Sequence, residues 1–209
     1  MNKSENFVIT INREIGSGGR TVGSKLAAKL GVPFYDKALV QALMEKYHLS
    51  TDEIEELKGR KQDWWTEFKH VLGIASAKTN TIIDEPGLYS SADIFRAEQK
   101  ILLDIAAKGS CVIAGRSGFF VFQDHPNHVN VMITAPTEHR IRRLISKRDI
   151  SEEEAKDIIL RVDEMRENYI QKYTGTTRYD LRNYDFVVNM QGKTEDEVAD
   201  LIVQYIGPR

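Results

Sequence analysis

Between Ile11 and Thr21 the chain reads Ile-Asn-Arg-Glu-Ile-Gly-Ser-Gly-Gly-Arg-Thr, with three glycines, two arginines and two hydroxyls in eleven residues. A turn of this composition lets consecutive backbone N–H groups point inward at an anion. A helix starting behind it adds its partial positive charge. Gly16, Gly18 and Gly19 lack the Cβ atoms that would block close approach, and Ser17 lies among them. Arg20 is in register to reach terminal phosphates, and Thr21 to offer a hydroxyl to Mg²⁺. The chemistry implied is the gripping of a polyphosphate. Laid on this chain, the pattern GxxxxGK[ST] starts at Glu14, so its first glycine is missing. Gly19 and Thr21 fit, and Arg20 replaces the lysine with a planar cation of different geometry. The same composition also makes a tight connection between a strand and a helix, and both readings stand at this point.

The flanking elements favour the first. Phe7 to Ile11 is a short β-branched run that suits a central parallel strand. Val22, Leu26 and Leu30 mark one helix face, which Gly31 stops. Val32 to Asp36 reads as a second strand ending in an acid, and Ala38 to Tyr47 as a helix. Ser91 to Lys108 is helical, with Ile94, Ile101, Leu102 and Ile105 on one face. Cys111–Ala114, Val129–Ile133 and Phe186–Met190 are three more strands. Thr137 is placed to cap a helix. Ser151 with Glu154, and Thr194 with Glu197, form capping boxes. Strands alternating with helices at this spacing predict a three-layer α/β/α sandwich around a five-stranded parallel sheet, in one domain over 1–209.

The 209 residues carry 41% apolar and 29% charged side chains, enough for a buried core. A net charge of −2 argues against a nucleic-acid binder. No apolar run approaches the length of a membrane span, and the first residues lack a signal-peptide pattern. The single cysteine, Cys111, reads as core and suits a reducing cytoplasm. The five histidines show no metal-ligand spacing, and His125 and His128, around Pro126, are expected to face solvent.

With later segments included, the chain resembles the cytidylate-kinase-like family of P-loop nucleoside monophosphate kinases. Three passages carry the resemblance: Asn12–Thr21 running on into Leu30–Lys37; Val112-Ile-Ala-Gly-Arg-Ser-Gly118 with Val121–Asp124; and Tyr173-Thr-Gly175 with Asn183–Asn189. Ser117 stands where cytidylate kinases have aspartate. The resemblance implies a P-loop NTP hydrolase type of fold and Mg²⁺-dependent transfer of the ATP γ-phosphoryl group to a nucleoside monophosphate, CMP or dCMP first. Another small-molecule kinase on this fold, or a non-catalytic nucleotide-binding protein, is the alternative. It also implies a core (7–48, 91–146, 183–209), a monophosphate-binding insertion at about 49–90 and a lid at about 147–178.

Within that frame Arg20 is expected to neutralise the terminal donor charge and Arg116, past the third strand, to hold the acceptor phosphate. Arg148, Arg161 and Arg166 are the lid choices. Arg161 and Arg166 diverge by about 140° on an unbroken helix, so both reach one ligand only if it bends. Arg140 and Arg143 share a face and, by analogy, suit purine stacking and a hinge. Asp36 suits the acceptor site or a metal-bound water, or merely caps a helix. Arg96 and Gln99 are expected to face the acceptor. Arg13 and Glu14 pair with each other or with a neighbouring element. Trp64 and Trp65 cover core, stack a base, or mark a homodimer contact. The partners expected are small-molecule nucleotides, with no nucleic acid and no membrane.

Overall fold

The computed structural model describes residues 1–36, 91–115 and 117–207. The expected helix at 38–47, the insertion at about 49–90, both tryptophans and Arg116 lie outside the described residues. Five strands form one sheet: β1 (Val8–Arg13), β2 (Phe34–Tyr35), β3 (Cys111–Ala114), β4 (His128–Thr134) and β5 (Phe186–Asn189). Their order is β2-β3-β1-β4-β5 and every pairing is parallel. The helices are α1 (Gly19–Leu30), α2 (Ser91–Lys108), α3 (Gly118–Val121), α4 (Thr137–Arg148), α5 (Glu152–Thr174) and α6 (Glu195–Tyr205).

Alternation along β1 builds two layers from one strand. Ile9 and Ile11 point to the face covered by α1 and α6, where Val22, Leu26, Val198 and Ile202 are buried against Val131 and Ile133. Val8 points to the other face, against Leu102 and Ile105 of α2 and Phe122. The three-layer α/β/α sandwich is thus present. A separate apolar seam joins α4 to α5 through Ile141, Leu144, Ile158 and Val162, and Ile15 of the glycine loop packs against it. That seam fastens the α4–α5 hairpin to the loop.

Both capping boxes form, at Ser151–Glu154 and Thr194–Glu197. Thr137 does not cap: it is the first residue of α4, behind Pro136, and no side chain caps that helix. The N-cap position falls to Pro136, whose side chain has no acceptor to offer the first amides. Cys111 is buried, as expected, and burial pushes its thiol up to about 12.

The sheet face over β1 and β4 is polar beyond Val8. Thr10 and Asn130 are buried there, and the Thr10 hydroxyl bridges His128 Nε2 and Asn130 Oδ1, each at 2.7 Å. The expectation that His128 faces solvent is corrected: it sits on the sheet, its ring 5.8 Å from that of Phe122. Burial pushes its pKa down from 6.5 to about 4, against a smaller opposing pull from Asp185. The folded state therefore binds its proton more weakly than the unfolded chain. Its contribution to stability is complete above pH 6.5 and is lost as pH falls from 6.5 towards 4, by at most about 3 kcal/mol. An NMR titration should place the His128 ring midpoint near 4; a midpoint near 6.5 would contradict the burial.

Candidate nucleotide site

The loop between β1 and α1 turns through two left-handed glycines, Gly16 at φ 79° and Gly18 at φ 87°. Ser17, fully buried, closes the turn by donating its hydroxyl to the Glu14 carbonyl at 2.9 Å. Gly18 occupies the N-cap of α1, no side chain caps that helix, and no acid stands in its first turn. The first amide groups of α1 have no carbonyl partner within the helix and face the C-terminal end of the sheet.

Buried charges hold this loop from outside. Glu14 accepts hydrogen bonds from the Thr134 hydroxyl and the Ala135 amide and pairs with Arg140 at 3.4 Å. Glu14 therefore pairs with a neighbouring element and not with Arg13. Asp163 of α5 accepts the Ile15 N–H at 3.1 Å, and Arg140 donates Nε to the Ile15 carbonyl at 2.7 Å. Arg140 and Asp163 then pair with each other. Both backbone polar groups of Ile15 are thus fixed by α4 and α5.

Cations crowd the end of β1. Arg166 Nη1 and Arg178 Nη2 both donate to the Arg13 carbonyl, at 3.2 and 2.5 Å. Arg178 is 0% exposed, and its Nε and Nη1 have no hydrogen-bond partner. Burial, then the nearby charges of Arg13 and Arg178, holds the proton affinity of Arg166 well below the usual guanidinium range. Among the described residues the cluster gathers four guanidiniums, Arg13, Arg140, Arg166 and Arg178, around two carboxylates, Glu14 and Asp163. Partly buried charge of one sign is costly unless an opposite charge joins it, so this arrangement favours an anion.

The residues expected from sequence distribute unevenly. Gly16, Ser17, Gly18, Gly19 and Thr21 form the loop and the start of α1. Arg20 and Asp36 come together, Nε to Oδ2 at 2.6 Å, with Asp36 buried and the Arg20 side chain 72% exposed. This pair lies towards β2, whereas Gly16 and Gly18 face Arg140 and Arg143. Arg140 is 6% exposed and locked in the ion-pair frame, so the purine-stacking expectation is corrected for it. Arg143 pairs with Glu195 at 2.5 Å and donates to the Thr21 hydroxyl at 3.2 Å. A guanidinium there repels a divalent cation, so Thr21 as arranged does not fit the metal role expected for it. No group of three or more His, Cys, Asp or Glu gathers as a metal site among the described residues. Magnesium commonly arrives on substrate phosphates with few protein ligands, so nucleotide binding does not need such a cluster.

Helix α5 runs unbroken from Glu152 to Thr174, so Arg161 and Arg166 are not brought together. Arg166 points inward, while Arg161 pairs with Asp157 at 2.5 Å on the exposed side. Arg148, half-buried, ends α4, and burial lowers its proton affinity. Arg96 is exposed and Gln99 half-buried on α2, where Glu98 is a buried carboxylate that accepts from Tyr169 at 2.9 Å.

Sequence reasoning missed Asp163 and Arg178 as site residues. Asp163 had a readable signal: it lies with Arg166 on the stripe of Ile159, Val162 and Ile170, which is otherwise apolar. Arg178, in the irregular stretch after α5, had none. Ser117 has a left-handed backbone at φ 53° and a buried hydroxyl without a hydrogen-bond partner, features of the kind that cluster at functional sites.

Comparison with known proteins agrees with this geometry. A family model described as the cytidylate kinase-like family matches residues 8–192. A cytidylate kinase of Ignicoccus hospitalis is 28% identical over 196 residues, 93% of this chain and 96% of that protein. Among solved structures, an uncharacterized protein from Eubacterium ventriosum superposes with a TM-score of 0.72 at 23% identity, covering 97% of this chain and 99% of the other. A shikimate kinase from Bacteroides thetaiotaomicron gives 0.52 at 18% identity, over 96% and 97%. These two likenesses show the fold, an α/β P-loop sandwich. With nearly its whole length matched and its glycine loop between the first strand and helix, the chain belongs to the cytidylate kinase-like family.

Proposed function

We propose that this protein transfers the γ-phosphoryl group of ATP to a nucleoside monophosphate, with CMP and dCMP the preferred acceptors. The observation that carries this reading is the crowd of guanidiniums at the end of β1, set against the uncapped start of α1. Phosphoryl transfer asks mainly for positioning and charge neutralisation, which such an arrangement provides. Kinship with a cytidylate kinase over most of the chain supports the acceptor class.

In this reading the amide groups from Gly16 to Thr21 hold the donor phosphates, and Arg166 and Arg178 balance the charge that two nucleotides bring. Asp163 and Arg140 hold the loop in shape. Arg116, next in the chain after Gly115, holds the acceptor phosphate, and the Arg20–Asp36 pair belongs to the acceptor side. Arg96 and Gln99 extend that side. The α4–α5 hairpin excludes water, which otherwise competes as acceptor. Magnesium bound to the donor phosphates would add charge neutralisation.

A coupled assay with Mg²⁺-ATP and a panel of CMP, dCMP, UMP, AMP and GMP tests the proposal. The expected result is a kcat/KM for CMP or dCMP at least tenfold above that for the purine monophosphates. Binding of ATP without turnover of any monophosphate would sink the enzyme reading.

A further inference from the structure

The position after the last glycine of the loop is Arg20, yet its guanidinium lies on Asp36. The space beside the first residue of α1 is taken by another arginine. A Cβ placed on Gly19 would lie 2.6 Å from Arg13 Cβ and 3.1 Å from Arg13 Cγ. Farther along the same side chain, a Cβ on Gly115 would collide with Arg13 Nη1 and lie 3.3 Å from Cζ. The Arg13 side chain therefore starts at the end of β1, passes against the first residue of α1, and sets its head at the end of β3. This path crosses the C-terminal edge of the sheet, where open parallel sheets bind ligands. Two glycines make room for it, one at each end. Buried Arg178 lies in the same cluster, its Nη2 donating to the Arg13 carbonyl while Nε and Nη1 make no hydrogen bond.

We propose that Arg13, reaching from β1, supplies the charge on the donor polyphosphate that P-loops normally draw from the residue after their last glycine. Gly19 and Arg13 then form one device. The side chain missing at the head of the helix leaves the room through which the strand's arginine passes. Arg20 serves the Asp36 side instead. This rests on the nucleotide-binding reading of the loop and names the residue that would do the neutralising.

Calorimetric titration of the whole chain with ATP and with inorganic tripolyphosphate, each with Mg²⁺, tests it in wild type, Arg13→Gln and Arg20→Gln. Arg13→Gln should weaken both ligands at least tenfold and Arg20→Gln less than threefold. Equal losses in the two variants, or a larger loss in Arg20→Gln, overturn the assignment. A wild type that binds neither ligand brings down the nucleotide reading itself, which is a different failure. Because Arg13→Gln can disturb folding, a crystal of the wild type with a non-hydrolysable ATP analogue gives an independent readout. The Arg13 guanidinium should lie within hydrogen-bond reach of a β- or γ-phosphate oxygen; Arg20 in that place overturns the proposal.

Discussion

Asp163→Asn is expected to destabilise the protein by about 3–5 kcal/mol, the usual cost of removing one partner from a buried ion pair. For a chain of this size that is a fall in Tm of roughly 6–20 °C. Asp163 is 8% exposed and faces the guanidiniums of Arg140, Arg166 and Arg178, while also accepting the Ile15 amide. Asparagine keeps the shape and one acceptor oxygen, so the change isolates the charge. It leaves a cluster already rich in cations with Glu14 as its remaining carboxylate among the described residues. The Arg161–Asp157 pair, on the same helix, is the control. Both of its side chains are about half exposed, so Arg161→Gln should cost at most about 0.5 kcal/mol. Thermal or urea unfolding of the two variants checks the contrast. A Tm for Asp163→Asn within about 2 °C of wild type would remove Asp163 from the centre of the frame.

Gly19→Ala is expected to cost about 1–3 kcal/mol through overpacking. Its φ is not in the left-handed region, so conformational strain is not the reason. The new methyl would lie 2.6 Å from Arg13 Cβ and 3.3 Å from Ile133 Cβ, atoms fixed close to the backbones of β1 and β4 that cannot swing aside. Most of the cost should come from Arg13. In an Arg13→Gly background the closer clash disappears, and the penalty of Gly19→Ala should fall by more than half. A double-mutant cycle from denaturant unfolding reads this coupling directly. Additive effects would mean that the two residues do not share the space assigned to them.

The order of elements was legible because the local signals agreed with the tertiary ones. The run Cys111–Ala114 is bounded as read, since a β-branched pair between Gly109 and Gly115 has few alternatives. Ser151 and Thr194 were found by their partners three residues on, a purely local contact. The glycine loop was legible for the same reason. What the sequence hid was the direction of its charges. From Arg140 to Arg166 cations and acids interleave along the sequence, yet Arg140 and Arg166 turn inward and Arg161 outward. Which way an arginine points depends on Glu14 and Ile15, more than a hundred residues earlier, and no local pattern carries that information. His128 escaped for a related reason: its partner, Thr10, comes from β1, 118 residues away.

In the proposed function the turn from Glu14 to Thr21, framed by buried arginines, grips a polyphosphate. Isothermal titration of the intact chain with ATP, ADP and AMP in the presence of Mg²⁺ tests it most directly. Measurable heat and 1:1 binding that strengthens at least tenfold from AMP to ATP are expected, because each added phosphate meets more of the guanidinium cluster. No heat with ATP, or affinity that does not change with the number of phosphates, would contradict it.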